Sequence, residues 1–232
     1  ASFGRMPQGV VLNPNVGDET LAAALARVRS KTGLPRRQTV EMRTVEERIN
    51  EIGRLIREGS QDDDIKAAAG AVLSRKCGEK WCVSAKDYAA ESDAMFEAVV
   101  DPKSPIAMRY TLDHPTVDEF GSATRGLRMR TGDCDDLAIF LGSLLASQGH
   151  RPEIVIMQAK GASNWSHIFL REPINLDDGI SKGGARYRYL DPSMQSATGW
   201  QPAGWTPPGV EAALSGRPGV GITQRAKAFR LF

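Results

Sequence analysis

The chain has 232 residues, 41% of them hydrophobic, enough for a substantial core in one domain with arms or in two small ones. Its 30 Lys+Arg against 28 Asp+Glu leave a formal net charge of +2, which gives no electrostatic argument for a nucleic-acid partner. No apolar run approaches about 18 residues, and the uncharged stretch 192–210 is rich in Pro, Gly and polar residues, so no membrane-spanning segment is expected.

Residues 1–16 read as an extended arm, because Pro7, Gly9 and Pro14 interrupt any period; the charged and apolar regions of a signal peptide are not seen in it. A helix over 18–31 follows from Leu21, Ala24, Leu25 and Val28, with Gly33 where a C-cap belongs. Residues 1–40 are therefore set apart as an arm and a short helix. The segment "TVEERINEIGRLIREG" predicts a second helix: Thr44 and Glu47 form a capping box, and Val45, Ile49, Ile52, Leu55 and Ile56 make an apolar stripe. Further helices are expected over 62–74 and 84–100.

Cys77 and Cys82, in "CGEKWC", belong to an odd set of three cysteines, which argues against a disulfide scaffold. Two free thiols are the favoured reading and a local disulfide the second. Zinc is disfavoured, since no further Cys or His cluster completes a four-ligand site.

Past residue 130 the pattern changes. Leu137, Phe140, Leu141, Leu144 and Leu145 share one face, predicting a helix over 136–148 closed by Gly149. The runs 153–159, 165–172 and 185–191 are rich in β-branched and aromatic residues and read as three antiparallel strands, with a polar, Gly-rich loop between the last two. The fold class is thus α+β. Residues 41–200 form the main domain, with its core over 84–200, and 201–232 read as a tail with too many Pro and Gly for regular structure; the cluster of Trp200, Pro202, Trp205, Pro207 and Pro208 around its start reads first as packing along the domain, with a lid over the site or docking on another subunit as alternatives.

Cys134 falls in the first turn of the helix over 136–148, with Thr131 and Asp133 as N-cap candidates. A lone cysteine is most often a small buried hydrophobe. A helix N-terminus, however, stabilises a thiolate, so the position suits a nucleophile with a lowered pKa. Such a thiol needs a base and an orienting group. His167 lies within one strand and Asp191 ends the next, so the two can meet across the ladder. His114, before a proline, reads as a turn residue, and His150 follows a helix C-terminus where a cation is favoured; neither needs a catalytic role. Trp165, two residues before His167, reads equally as a wall of the site or as core.

The motifs "GDCDDLAIFLGSLLASQGHRPEIVIM", "WSHIFL" and "YLDPS" resemble the core of the transglutaminase-like superfamily, and the stretch before them is similar to its phage and prophage forms. The resemblance spans roughly residues 84–200. It implies a papain-like core, with the cysteine on a helix N-terminus packed on an antiparallel sheet, preceded by an N-terminal helical region. It implies Cys134 as nucleophile, His167 as base and Asp191 as orienting acid. The expected chemistry is cleavage of peptide or glutamine amide bonds through a thioester, with the Cys134 N–H as oxyanion donor, Trp165 as site wall and no cofactor. The expected partner is a protein or peptide substrate, with structural proteins of a phage or phage-like particle beside it; neither nucleic acid nor membrane is expected. Hydrolysis is favoured over protein crosslinking. Asp135 and Asp136 invite comparison with related calcium-dependent periplasmic proteases that cut adhesins, against the simpler reading of an acidic first helical turn. A different class is a non-enzymatic structural component of a phage-like virion or tail that keeps the fold.

Overall fold

In a computed structural model of the chain the described residues are 26, 38–39, 44–77, 79–84, 87–112, 119–173, 187–193, 206–218 and 220–232. The expected arm over 1–16, the interior of the loop between the last two predicted strands, His114, Trp200, Pro202 and Trp205 lie outside them, and of the helix over 18–31 only Ala26 is described, as helical.

Helix α1 (Val45–Gln61) begins at the predicted capping box: Thr44 Oγ1 accepts from the Glu47 N–H, and Glu47 accepts from the Thr44 N–H. Asp62 then ends α1 and N-caps α2 (Asp63–Leu73), accepting from the N–H groups of Asp64 and Ile65, so the two helices turn on a single residue. A short hairpin follows, β2 (Lys76–Cys77) with β3 (Lys80–Trp81). Cys82, just after it, is disulfide-bonded, which replaces the reading of two free thiols; Cys134 is a free cysteine. Helix α3 (Tyr88–Val100) starts four residues later than its periodicity suggested, because Asp87 caps it by accepting from the Ala90 N–H.

Two parallel bridges, β4 (Arg109–Tyr110) with β6 (Thr131–Gly132), enclose β5 (Glu119–Phe120) and α4 (Ala123–Met129). The bridge β5 pairs with β1 (Gln38–Thr39). Helix α5 (Cys134–Ser147) is the hub of the molecule. Residues 135–145 are all buried, and α1, α2, α3 and α4 pack around it. Thr131 belongs to β6, so of the two cap candidates it is Asp133 that caps α5.

The main sheet has four antiparallel strands in the order β10-β7-β8-β9: β7 (Glu153–Ala159), β8 (His167–Pro173), β9 (Tyr187–Leu190) and β10 (Thr223–Arg230). Alternation divides its side chains cleanly. Ile154, Ile156, Ile168, Leu170 and Leu190 join the helical core, whereas Val155, Met157, Phe169 and Tyr189 face the other way and are covered with Val210 of α6 (Val210–Leu214). The stretch 201–232 is therefore not a tail without regular structure. Its last part runs the full length of β7, from Thr223 opposite Ala159 to Arg230 opposite Glu153. The segment is dominated by Arg, Lys, Gln and Ala, whose strand propensity is low; long-range pairing with β7 overrides it.

Candidate active site

Asp133 sets the start of α5. Its carboxylate accepts from the N–H groups of Asp135 and Asp136, at 3.2 and 3.3 Å, and leaves the Cys134 N–H among the helix's unpaired donors. The Asp136 carboxylate is turned the other way: it is buried and accepts from the Gly121 N–H at 2.7 Å. It also lies so close to Gly132 that a Cβ there would come within 2.3 Å of the Asp136 Cβ. Asp136 thus ties β5 and the β6 turn to the first turn of the cysteine helix. Asp135 is paired with Arg48 of α1 at 3.4 Å.

The strands bring together the other two predicted residues. His167 opens β8, Asp191 follows β9, and His167 Nε2 lies 2.6 Å from Asp191 Oδ2. A carboxylate accepts here, so the shared proton sits on Nε2 and the lone pair of the neutral ring is on Nδ1. The second carboxylate oxygen, Oδ1, accepts from the Ser193 N–H at 3.1 Å and from Ser193 Oγ at 2.7 Å. Asp191 is 4% exposed, so this three-point hold keeps its orientation in a protected environment. Ser193 had no assigned role in the sequence reading, although "DPS" after a strand is a turn signal in which the serine can fold back on the aspartate.

The thiol of Cys134 is partly buried and packs against the helical core, as does Trp165. The backbone N–H of Ile168, the residue after His167, lies near enough to the sulfur to favour its charged form, and the thiol is 4.0 Å from Asp135 Oδ1. The helix start and the start of β8 are therefore in contact. Among the described residues no hydrogen bond joins the thiol to the imidazole.

Burial, then the charges of Asp135 and Asp133, push the thiol pKa above its ordinary value, and the Ile168 N–H opposes them only in part. This reverses the expectation of a lowered pKa. The helix N-terminus is present, and burial and the two flanking carboxylates act against a thiolate there.

Tyr110 is a neighbour that sequence periodicity did not reveal. The parallel bridge of β4 with β6 sets Tyr110 opposite Gly132, two residues before Cys134. Burial, followed by the nearby Cys134, Asp133, Asp135 and Asp191, pushes its hydroxyl up to about 12. Tyr110 is therefore a neutral donor at the site.

Among the described residues, the acidic and sulfur ligand atoms that gather within 4.8 Å are those of Asp133, Cys134 and Asp135, whereas the Asp136 carboxylate accepts from the Gly121 N–H. His150, just past the end of α5, is 2% exposed and lies between Glu172 and Glu91. No helix among the described residues is long and apolar enough to cross a membrane.

No protein-family model, curated protein or solved structure matches the chain.

Proposed function

We propose that the protein is a cysteine-dependent acyl-transfer enzyme acting on amide bonds of a peptide or glutamine side chain, with a papain-like or transglutaminase-like core. One observation carries the reading: a histidine held by a buried aspartate through Nε2, which leaves Nδ1 as the basic nitrogen, at a strand start near the helix N-terminus that bears a free cysteine. Because the thiol is held protonated at rest, His167 works as a general base in the attacking step rather than as partner in a preformed ion pair. The thiol proton passes to His167 Nδ1 as sulfur bonds to the carbonyl carbon, and the carbonyl electron pair moves to oxygen. The unpaired Cys134 N–H receives that oxyanion, a donor of a kind worth about 3 kcal/mol. Collapse expels the amine, which takes the proton from His167 and leaves a thioester. Water, deprotonated by the same imidazole, then releases the acid and restores the thiol. Asp191 stabilises the imidazolium at each stage, and Ser193 keeps Asp191 aligned.

Hydrolysis is favoured over crosslinking, and attachment to a phage or phage-like particle rests on the resemblance of the motifs alone. The raised thiol pKa and the missing thiol–imidazole hydrogen bond favour a second reading, a structural component that keeps the fold without chemistry. A peptide-cleavage and ammonia-release assay on Cys134→Ala separates the two. The enzyme reading expects turnover to vanish while the far-ultraviolet spectrum is unchanged, and full biological activity of that variant defeats it.

A further inference from the structure

Around the edge of the sheet, on the Trp165 side, is a cleft of about 360 Å³. Gln224, Arg225 and Lys227 line it from β10, Trp165 from the connection before β8, and Ala213, Gly216 and Arg217 from the end of α6 and just beyond it. Among the described residues β10 is the last strand of the sheet, and no further strand pairs with its outer edge. Arg225 and Lys227 both stand over the indole of Trp165, the guanidinium carbon at 5.3 Å and the ammonium at 5.8 Å from the ring centre.

The cations of this cleft differ from their neighbours. Elsewhere on the sheet Arg171 and Arg230 are paired with Glu153, and Arg188 with Asp93. Among the described residues, Arg217, Arg225 and Lys227 have no carboxylate partner, and Arg225 is instead steadied by Gln158, whose Oε1 accepts from its Nε at 2.6 Å. A chain with a net charge of only +2 thus gathers around one cleft three cations without a carboxylate partner among the described residues. The cleft also adjoins the candidate site: Trp165 is two residues from His167, within about 7 Å along the backbone.

We propose that this cleft binds a carboxylate-rich segment of the acyl-donor substrate, so that the protein selects peptides with Asp or Glu clustered to one side of the scissile amide. The proposal rests on the acyl-transfer reading of Cys134. An extended acidic peptide fits this strand edge, with its carboxylates on Arg217, Arg225 and Lys227 and its aliphatic carbons against Ala213 and Gly216. Single-stranded nucleic acid fits less well, because its bases need an open aromatic face and that of Trp165 carries two cations of the protein itself.

The test uses the full chain carrying Cys134→Ala, so that peptides are bound but not consumed. Fluorescence anisotropy is recorded with labelled peptides of about ten residues, rich in Glu, in Ser or in Lys, and with oligothymidylate of matched charge. The Glu-rich peptide should bind at least about tenfold more tightly than the Ser-rich one, and the advantage should shrink with salt. Arg225→Glu with Lys227→Glu, and separately Arg217→Glu, should remove it, while Lys103→Glu, the same charge change as Arg217→Glu but on the loop after α3, should not. Equal binding of Glu-rich and Ser-rich peptides, or indifference to the cleft variants, overturns the proposal. Tighter binding of oligothymidylate than of the Glu-rich peptide overturns it in favour of a nucleic-acid groove. A wild-type protein that cleaves acidic and neutral peptides with equal kcat/KM defeats the cleft but leaves the enzyme standing; selective binding without any turnover defeats the enzyme alone.

Discussion

At the scale of single residues, the thiol's protonation state is the feature with the most direct consequence. Cys134 is free and Cys82 is in a disulfide, so alkylation of the native protein reports on Cys134. Since burial and the Asp135 and Asp133 carboxylates hold the pKa up, iodoacetamide should react slowly at pH 7, and the rate should climb through the alkaline range instead of levelling off near pH 6. Asp135→Asn removes one of those charges and should make the reaction at neutral pH several-fold faster; a rate already flat from pH 6 in the wild type would mean that a thiolate–imidazolium pair exists at rest. The orienting role of Asp191 is tested by Asp191→Asn, which leaves Cys134 and its N–H in place but removes the charge that favours the imidazolium. Turnover should fall by orders of magnitude, toward the roughly 10⁴-fold known for the equivalent loss in a serine triad, with KM little changed. Ser193→Ala should cost less, on the order of tenfold in kcat, because it removes one of three hydrogen bonds to the same carboxylate.

At the scale of elements, two glycines in neighbouring helices call for opposite outcomes. Gly59 of α1 faces α4 and α5 so closely that an added Cβ would stand 2.4 Å from Ser143 Oγ and 2.7 Å from the Ala123 Cβ. Gly59→Ala should therefore destabilise by about 1–3 kcal/mol despite alanine's better helix propensity. Gly70 of α2 has nothing within 4 Å of such a Cβ, so Gly70→Ala should stabilise by about 0.5–1 kcal/mol. Urea unfolding of the two variants decides both signs. The same contrast explains what was legible in the chain. The capping box at Thr44, the stripe of α5 and the β-branched run of β7 are local patterns, and each is found where its residues predicted it. The helix α4 and the strand β10 were not legible, since a seven-residue helix has too few turns for a period and the partner of β10 lies over sixty residues away. The pairing of His167 with Asp191 was readable from strand order; Tyr110 was not, because a parallel bridge sets it beside Cys134 from a distant part of the sequence.

At the scale of the whole molecule, α5 lies along β8 and is fastened to it at both ends. At one end the Ile168 N–H meets the Cys134 sulfur; at the other, His150, just past the helix, meets Glu172, next to last in β8. The second fastening is a buried cluster. His150 Nδ1 is 2.6 Å from Glu172 Oε1, and Nε2 is 3.1 Å from Glu91 Oε2 of α3. Ser92 Oγ donates to Glu172, the ring of Tyr88 meets the imidazole edge-on, and Arg188 pairs with Asp93 alongside. Burial alone would pull the His150 pKa down, but the hydrogen bonds and charges of Glu172 and Glu91 outweigh it and raise the pKa to about 9. A histidine whose folded pKa exceeds its unfolded value of about 6.5 adds stability that is complete below that value and is lost as pH rises through the folded pKa. Between pH 6 and pH 10 the protein should thus lose on the order of 3 kcal/mol through this one group. Other groups titrate over that range, so the measurement is a difference: denaturant unfolding of wild type and of His150→Gln at both pH values. The variant should be clearly less stable at pH 6 and nearly equal to the wild type at pH 10, because there the wild-type imidazole has lost its charge and both proteins confront Glu91 and Glu172 with a neutral side chain. A gap between the two proteins that stays constant from pH 6 to pH 10 would show that His150 is buried without its proton, and that packing, not charge, joins helix to sheet at this end.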